Sequence, residues 1–239
     1  MGETGATVGY NVHPFKSPYV AISHYNDLPD DVVIVKTSHF SVNYADVCIR
    51  WGLYESAIKY VGWPIVPGFD FCGVVEWAGK SSSFKPGDDV FGYTMFGAYS
   101  SRILVPARQI RSRPMNISAP QMAGVPAVAA TALHCLNLAG SWPNKLMSLN
   151  KGCLIHSAGG GVGSMLVQMC KVMGYYPIVA VVGSSHKVSY CVELGADYVI
   201  DKSSEDLWKE AYRISKRGNA SRFDANGVET LGNSYDHLS

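Results

Sequence analysis

The hydrophobic pattern changes character partway along the chain. Up to about residue 110, apolar positions come in short β-branched or aromatic runs, at 19–23, 31–36, 73–77, 89–93 and 98–105. Turn residues separate them. Val66-Pro67-Gly68 and Lys85-Pro86-Gly87-Asp88 each join a proline that presets φ to a glycine that accepts backbone angles other residues avoid. This spacing predicts a mostly antiparallel, all-β region with one short helix at 44–51. After Pro120, apolar strands alternate with helically periodic stretches, the pattern of βαβ units and a parallel sheet. Strands are expected at 153–157, 177–182, 198–201 and 222–225, and helices at 162–173, 186–194, 205–215 and 229–238. Gly174 and Gly195 stand just past two of these helices, where a left-handed cap residue is wanted. The apolar window 121–140 contains Pro126, Thr131, His134 and Asn137, all costly at a bilayer centre. It reads as a buried globular helix, and no transmembrane segment is expected.

Composition narrows the ligand class. The 239 residues suffice for two modest domains, expected at 1–125 and 126–239. A formal net charge of +1 with 16% charged residues gives no electrostatic footprint for nucleic acid or an anionic membrane, which leaves a small molecule as the expected partner. The opening MGETGATVGYNVH lacks a basic region followed by an apolar one, so a cytoplasmic location is expected. Six cysteines without a CxxC pair read as reduced, mostly structural thiols.

The chemistry concentrates in one turn. Leu154-Ile155-His156-Ser157 leads as a strand into Ala158-Gly159-Gly160-Gly161-Val162-Gly163, which opens a helix. A GxGxxG-like run is weak evidence alone, but strand, turn and helix inside a βαβ pattern make it a dinucleotide-binding fingerprint, with a plain flexible loop as the alternative. Ala158 takes the first position. Gly160 would let backbone approach a pyrophosphate, and Gly163 would let the helix pack close to the strand, with helix amides facing the anion. An NAD fingerprint places an acid about 20 residues on, at the end of the second strand. Here Gly183-Ser184-Ser185-His186-Lys187 stands instead. Small hydroxyls and a lysine can hold a 2′-phosphate that an acid would repel, so the expected cofactor is NADP(H), with Lys187 as a solvated surface residue the alternative. Asn226, just past the fourth strand, joins this candidate cofactor set.

Several separated segments together resemble a known family. They are Asn43-Tyr44-Ala45-Asp46 leading to Arg50-Trp51-Gly52-Leu53-Tyr54, then Val66-Pro67-Gly68-Phe69-Asp70 and Phe84-Lys85-Pro86-Gly87-Asp88-Asp89-Val90. Ala129-Ala130-Thr131-Ala132, the stretch from His156 to Gly163, Lys187 and Leu194-Gly195-Ala196-Asp197 follow in order. The chain resembles the zinc-independent, quinone oxidoreductase-like branch of the medium-chain dehydrogenase/reductases. The resemblance implies an α/β protein in which a GroES-like β-domain precedes a Rossmann doubly wound parallel sheet, with the active site in the cleft between them. It also implies that a metal-ligand Cys is replaced by Asn43 and a ligand His by Phe69, neither of which can serve as thiolate or imidazole, so no catalytic metal is expected. Cys48 and Leu133 stand where relatives often carry Tyr. Lys202 stands where many have Tyr near the adenosine phosphate, and there it adds a second positive charge or simply faces solvent.

What the resemblance implies for chemistry is hydride transfer from NADPH to a quinone or α,β-unsaturated carbonyl, a conjugated acceptor that needs positioning and a few hydrogen bonds rather than a Lewis acid. Asn43, Tyr54 and Thr131 are the candidate catalytic residues by that resemblance. Each has a plainer reading: Asn43 as a helix cap, Tyr54 as loop packing, Thr131 as a hydroxyl bonded back into its own helix. Asp46 and Arg50 are spaced as an i,i+4 pair, and His134 and His156 read as buried or strand-end histidines. The rival function is a catalytically weak or inactive NADP(H)-binding relative that works through a protein partner. Four strands against about six in a full dinucleotide-binding sheet lead to the expectation of a fold incomplete at its C-terminus, with its fourth strand an edge for homo-oligomer pairing.

Overall fold

The computed structural model describes residues 8–10, 19–20, 28–142, 151–215, 221–227, 230–236 and 238. Two compact units emerge, Met1–Ala127 and Val128–Ser239. The first holds a seven-stranded sheet of β1 (Val8–Tyr10), β2 (Tyr19–Val20), β3 (Val32–Phe40), β4 (Asp70–Ala78), β5 (Asp89–Tyr93), β6 (Arg102–Pro106) and β7 (Ile110–Ser112), in the order β2-β1-β6-β3-β4-β5-β7. Every pairing is antiparallel except β1 with β6. Central β3 is apolar at four successive positions because both its faces are covered. Val33 and Val35 join Phe71, Val75, Val90 and Ile103 on one side, while Val32 and Ile34 meet Leu104 on the other. Two helices follow β3, α1 (Tyr44–Arg50) and α2 (Glu55–Tyr60), and α3 (Ala119–Ala123) closes this unit.

Helix α4 (Pro126–Leu138) leads into the second unit. There β8 (Cys153–Ile155), β9 (Ile178–Val182), β10 (Tyr198–Asp201) and β11 (Ser221–Phe223) form an all-parallel sheet ordered β10-β9-β8-β11. Successive strand residues serve opposite cores. Cys153 and Ile155 pack with α5 (Gly161–Met173), whereas Leu154 packs with Val179, Val181 and α7 (Leu207–Ile214). Each fully buried side chain of this size contributes about 1.5–3 kcal/mol. Gly174 caps α5 at φ 81°, and Gly195 follows α6 (Val188–Glu193) at φ 107°, as the spacing predicted. The last helix is α8 (Leu231–Asp236).

Local pattern misplaced some elements. The strand expected at 98–105 begins only at Arg102, because the chain turns at Ala98 and Tyr99, whose N–H groups donate to the Gly68 and Pro67 carbonyls rather than to a neighbouring strand. That expected at 19–23 is described only at Tyr19–Val20, and residues 21–23 lie outside the described residues. The helix expected at 186–194 starts as a 3₁₀ turn at Ser185–Lys187 before α6. The single buried helix expected at 121–140 is instead α3 and α4, broken at Gly124 and Pro126, with only Ala132 and Leu136 fully buried in α4. His134, read as a buried or strand-end histidine, is instead exposed on a helix. Among the described residues no helix is long and apolar enough to cross a membrane.

Candidate functional site

In the first unit the candidate residues gather around the end of β4. Asn43 is the N-cap of α1 and shares a capping box with Asp46, whose Oδ2 accepts from the Asn43 backbone N–H at 2.8 Å. The other Asp46 oxygen accepts from Gly68 N–H at 2.9 Å, so this buried carboxylate serves two backbone donors. That is a different duty from the Arg50 pairing its spacing suggested. The Asn43 amide is also committed: its Nδ2 donates to Ser41 Oγ at 2.9 Å and to Asp70 Oδ1 at 3.1 Å. Asp70, fully buried, accepts in addition from the Ser41 hydroxyl and from Ala127 N–H. Burial pushes the Asp70 carboxyl above its usual range, against the pull of these hydrogen bonds. With both amide hydrogens used, Asn43 can offer a bound molecule only its oxygen, as an acceptor.

The neighbouring space is aromatic. Tyr54, the N-cap residue of α2, packs edge-on against Phe69 and Phe96 with ring centroids 6.0 and 6.2 Å apart, and Phe69 and Phe96 lie 5.5 Å apart. Three rings pack here, and the carbon faces of Phe69 and Phe96 supply none of the donors zinc needs. Among the described residues no group of three His, Cys, Asp or Glu side chains could hold a metal. Purified protein is therefore expected to carry well under one zinc per chain by elemental analysis, and a chelator should leave its thermal midpoint unchanged. Stoichiometric zinc whose removal lowers the midpoint would contradict this assignment.

Thr131 sits in the second unit, exposed on α4. That unit carries the glycine-rich turn, with Ala158 buried and Gly160 as the N-cap of α5. A glycine there leaves no side chain over the first-turn amides of α5, those of Gly161, Val162 and Gly163, which have no partners one turn back. Gly163 is demanded by contact: a Cβ there would stand 2.3 Å from the Ser157 carbonyl oxygen and 2.7 Å from Ala158 Cα. Gly160 is less confined, its nearest such contact being Ser157 O at 3.2 Å. The Lys187 stem lies against Gly159, and the end of the Lys202 stem approaches Gly183. Ser184 and Lys187 are half-buried while Gly183, Ser185 and Lys202 are exposed, so the second-strand end presents hydroxyls and two cations beside the turn.

A buried polar cluster backs this turn, and sequence reasoning did not find it. His156, 1% exposed, directs Nε2 at Ser234 Oγ (3.0 Å), and Ser234 donates to Asp224 Oδ2 at 2.7 Å. Burial lowers the His156 pKa below its ordinary value, so the 3.8 Å approach of its Nε2 to Asp224 is not an ion pair at neutral pH. Burial raises the Asp224 pKa, but hydrogen bonds from Thr230, Ser234 and the Asn226 N–H outweigh it and hold the carboxyl below its usual range.

Residues 29–115 match the alcohol dehydrogenase GroES-like domain family, and residues 161–239 match the zinc-binding dehydrogenase family. Among curated proteins the chain is 30% identical over 191 residues to a 2-methylene-furan-3-one reductase of Solanum lycopersicum, covering 76% of this chain and 47% of that protein. It is 29% identical over 191 residues to a chloroplastic NADPH-dependent alkenal/one oxidoreductase of Arabidopsis thaliana, with the same coverage of 76% and 47%. The chain thus spans about half the length of these relatives. The Escherichia coli quinone oxidoreductase solved with NADPH superposes with a TM-score of 0.77 at 25% identity, over 98% of this chain and 69% of that one. A GroES-like unit followed by a Rossmann-like parallel sheet, matched in sequence and in structure, makes this chain a member of the medium-chain dehydrogenase/reductases, on their quinone oxidoreductase-like branch.

Proposed function

We propose that this chain binds NADP(H) and serves an oxidoreductase that transfers hydride to a quinone or α,β-unsaturated carbonyl without a catalytic metal. The observation that carries the reading is the junction of an uncapped α5 N-terminus, a Gly163 that tolerates no side chain, and Lys187 laid across Gly159. Backbone amides and the helix dipole suit a pyrophosphate there, and the serines and lysines beside it suit a 2′-phosphate where an acid would repel one. The relatives named for NADPH, alkenals and quinones support the substrate class. When bound, the reduced cofactor supplies the hydride. In the first unit Tyr54 is the candidate hydroxyl donor toward an acceptor carbonyl. Asn43, its donors spent, takes the part of an acceptor that orients a hydroxyl or amide.

The test is reduced-nicotinamide consumption by the 239-residue chain with a small benzoquinone and a short alkenal, beside direct NADPH titration. Acceptor-dependent oxidation favouring NADPH over NADH supports the reading. NADPH binding with no turnover on any acceptor overturns the enzymatic part and leaves the partner-dependent alternative in its place.

A further inference from the structure

One buried carboxylate decides which way the Asn43 amide faces. Asp70 opens β4 and is fully buried, and three donors converge on its two oxygens. Oδ1 accepts from the Ser41 hydroxyl and from Asn43 Nδ2 at 3.1 Å. Oδ2 accepts at 3.0 Å from the N–H of Ala127, in the first turn of α4. Ser41 spends its proton on Asp70, so its oxygen can take the other Asn43 amide hydrogen at 2.9 Å. A carboxylate accepting in this way has no hydrogen to give, which forces the nitrogen side of Asn43 inward and its oxygen side outward. That oxygen makes no cap hydrogen bond, because the Asp46 N–H goes to the Asn43 main-chain carbonyl at 2.9 Å.

The orientation bears on the reaction. A quinone presents carbonyl oxygens, which only accept. When it takes up a hydride from the reduced nicotinamide and a proton from water, its two carbonyls become hydroxyls, which can donate. An outward amide oxygen can hydrogen-bond such a hydroxyl but not a carbonyl.

We infer that Asp70 is a positioning residue which, by turning Asn43 Oδ1 outward, makes the site hold a hydroquinone more tightly than the matching quinone. This rests on the function proposed above and deepens it. One hydrogen bond made only by the reduced form corresponds to about a tenfold difference in affinity. For a two-electron couple, a tenfold tighter hold on the reduced form raises the potential of the bound couple by about 30 mV, so Asp70 biases a bound quinone toward reduction.

Ala127 makes the inference testable by inversion. In Asp70→Asn, the Ala127 N–H claims the new amide oxygen, which leaves the new Nδ2 directed at Asn43. Asn43 must then turn its own oxygen inward and its Nδ2 outward, a donor that suits the quinone.

The experiment titrates tetramethyl-1,4-benzoquinone, whose methyl groups block addition of cysteine thiols, and its hydroquinone into the protein by calorimetry under argon, with NADP⁺ present. Wild type, Asp70→Asn, Asn43→Ala and the double variant are compared, and thermal midpoints report whether each folds. Wild type should bind the hydroquinone about tenfold more tightly than the quinone, and Asp70→Asn should reverse that order. Asn43→Ala should bind the two forms equally, and adding Asp70→Asn to it should leave the ratio at about one, since Asp70 acts only through Asn43. A merely structural loss would weaken both ligands together and leave their ratio unmoved. Should Asp70→Asn fail to fold, Asn43→Ala still decides: a ratio unchanged from wild type overturns the inference. Wild type that holds both forms equally, or Asp70→Asn that keeps the wild-type order, shows that Asp70 does not set this preference, while the oxidoreductase reading stands. Wild type that binds neither form overturns the quinone reading as well.

Discussion

Gly163→Ala is expected to destabilise the protein by about 3 kcal/mol, lowering the thermal midpoint by about 10 °C or more. The added methyl would stand 2.3 Å from the Ser157 carbonyl oxygen and 2.7 Å from Ala158 Cα. Both are backbone atoms of the strand-to-helix turn, so neither can swing aside as a side chain would. Ser157 is already held at a left-handed φ of 51°, and moving it strains the buried His156 beside it. Gly160→Ala is the control. Its methyl would meet only Ser157 O, at 3.2 Å, so its effect on the midpoint should be small even as it crowds the surface offered to a pyrophosphate. Circular dichroism melts of both variants decide the point. A Gly163→Ala midpoint within about 2 °C of wild type would mean that the α5 entrance relaxes freely and that this glycine is not fixed by packing.

The contrast between these two glycines shows what a linear pattern can carry. Strand β10, α5 and its cap Gly174 were legible because each depends on neighbours a few residues away: an apolar run, a helical stripe, a glycine at a helix end. Helix α2 left no such signal, since Ala57 is its only buried residue and Ile58 and Tyr60 face outward. The apolar window expected to be buried around 121–140 fails for the related reason that composition does not say which face is covered. The candidate sites divide the same way. The glycine turn is a local motif, whereas the carboxylates that organise both sites act at long range. Asp70 draws donors from Ser41, 29 residues away, and Ala127, 57 away, and His156 meets Ser234 across 78 positions. Asp70 was visible only as the neighbour of Phe69 in a family segment, and nothing in its spacing announced that it would consume the hydrogens of Asn43.

Lys187→Ala is expected to weaken NADPH binding by about 1.5–3 kcal/mol, roughly ten- to a hundredfold, and to leave NADH almost unchanged. The lysine follows Ser184 and Ser185 at the end of β9, and its stem lies along Gly159, so its ammonium belongs to the edge of the turn that a 2′-phosphate would approach. A phosphate–ammonium pair is a charge-assisted hydrogen bond, while the hydroxyl at the same place in NADH offers no charge to pair. The stem complicates a simple deletion because its methylenes cover Gly159. Lys187→Met keeps that cover and removes only the charge, so it should reproduce the NADPH loss without altering the melt. Lys202, exposed beside Gly183, should contribute less, and its effect should fade as added salt screens it. Titration of both cofactors into wild type and these variants, at low and moderate salt, measures each element. Equal losses for NADPH and NADH in Lys187→Met would show that the lysine supports the turn rather than the phosphate, and the preference for NADPH would then have to come from elsewhere.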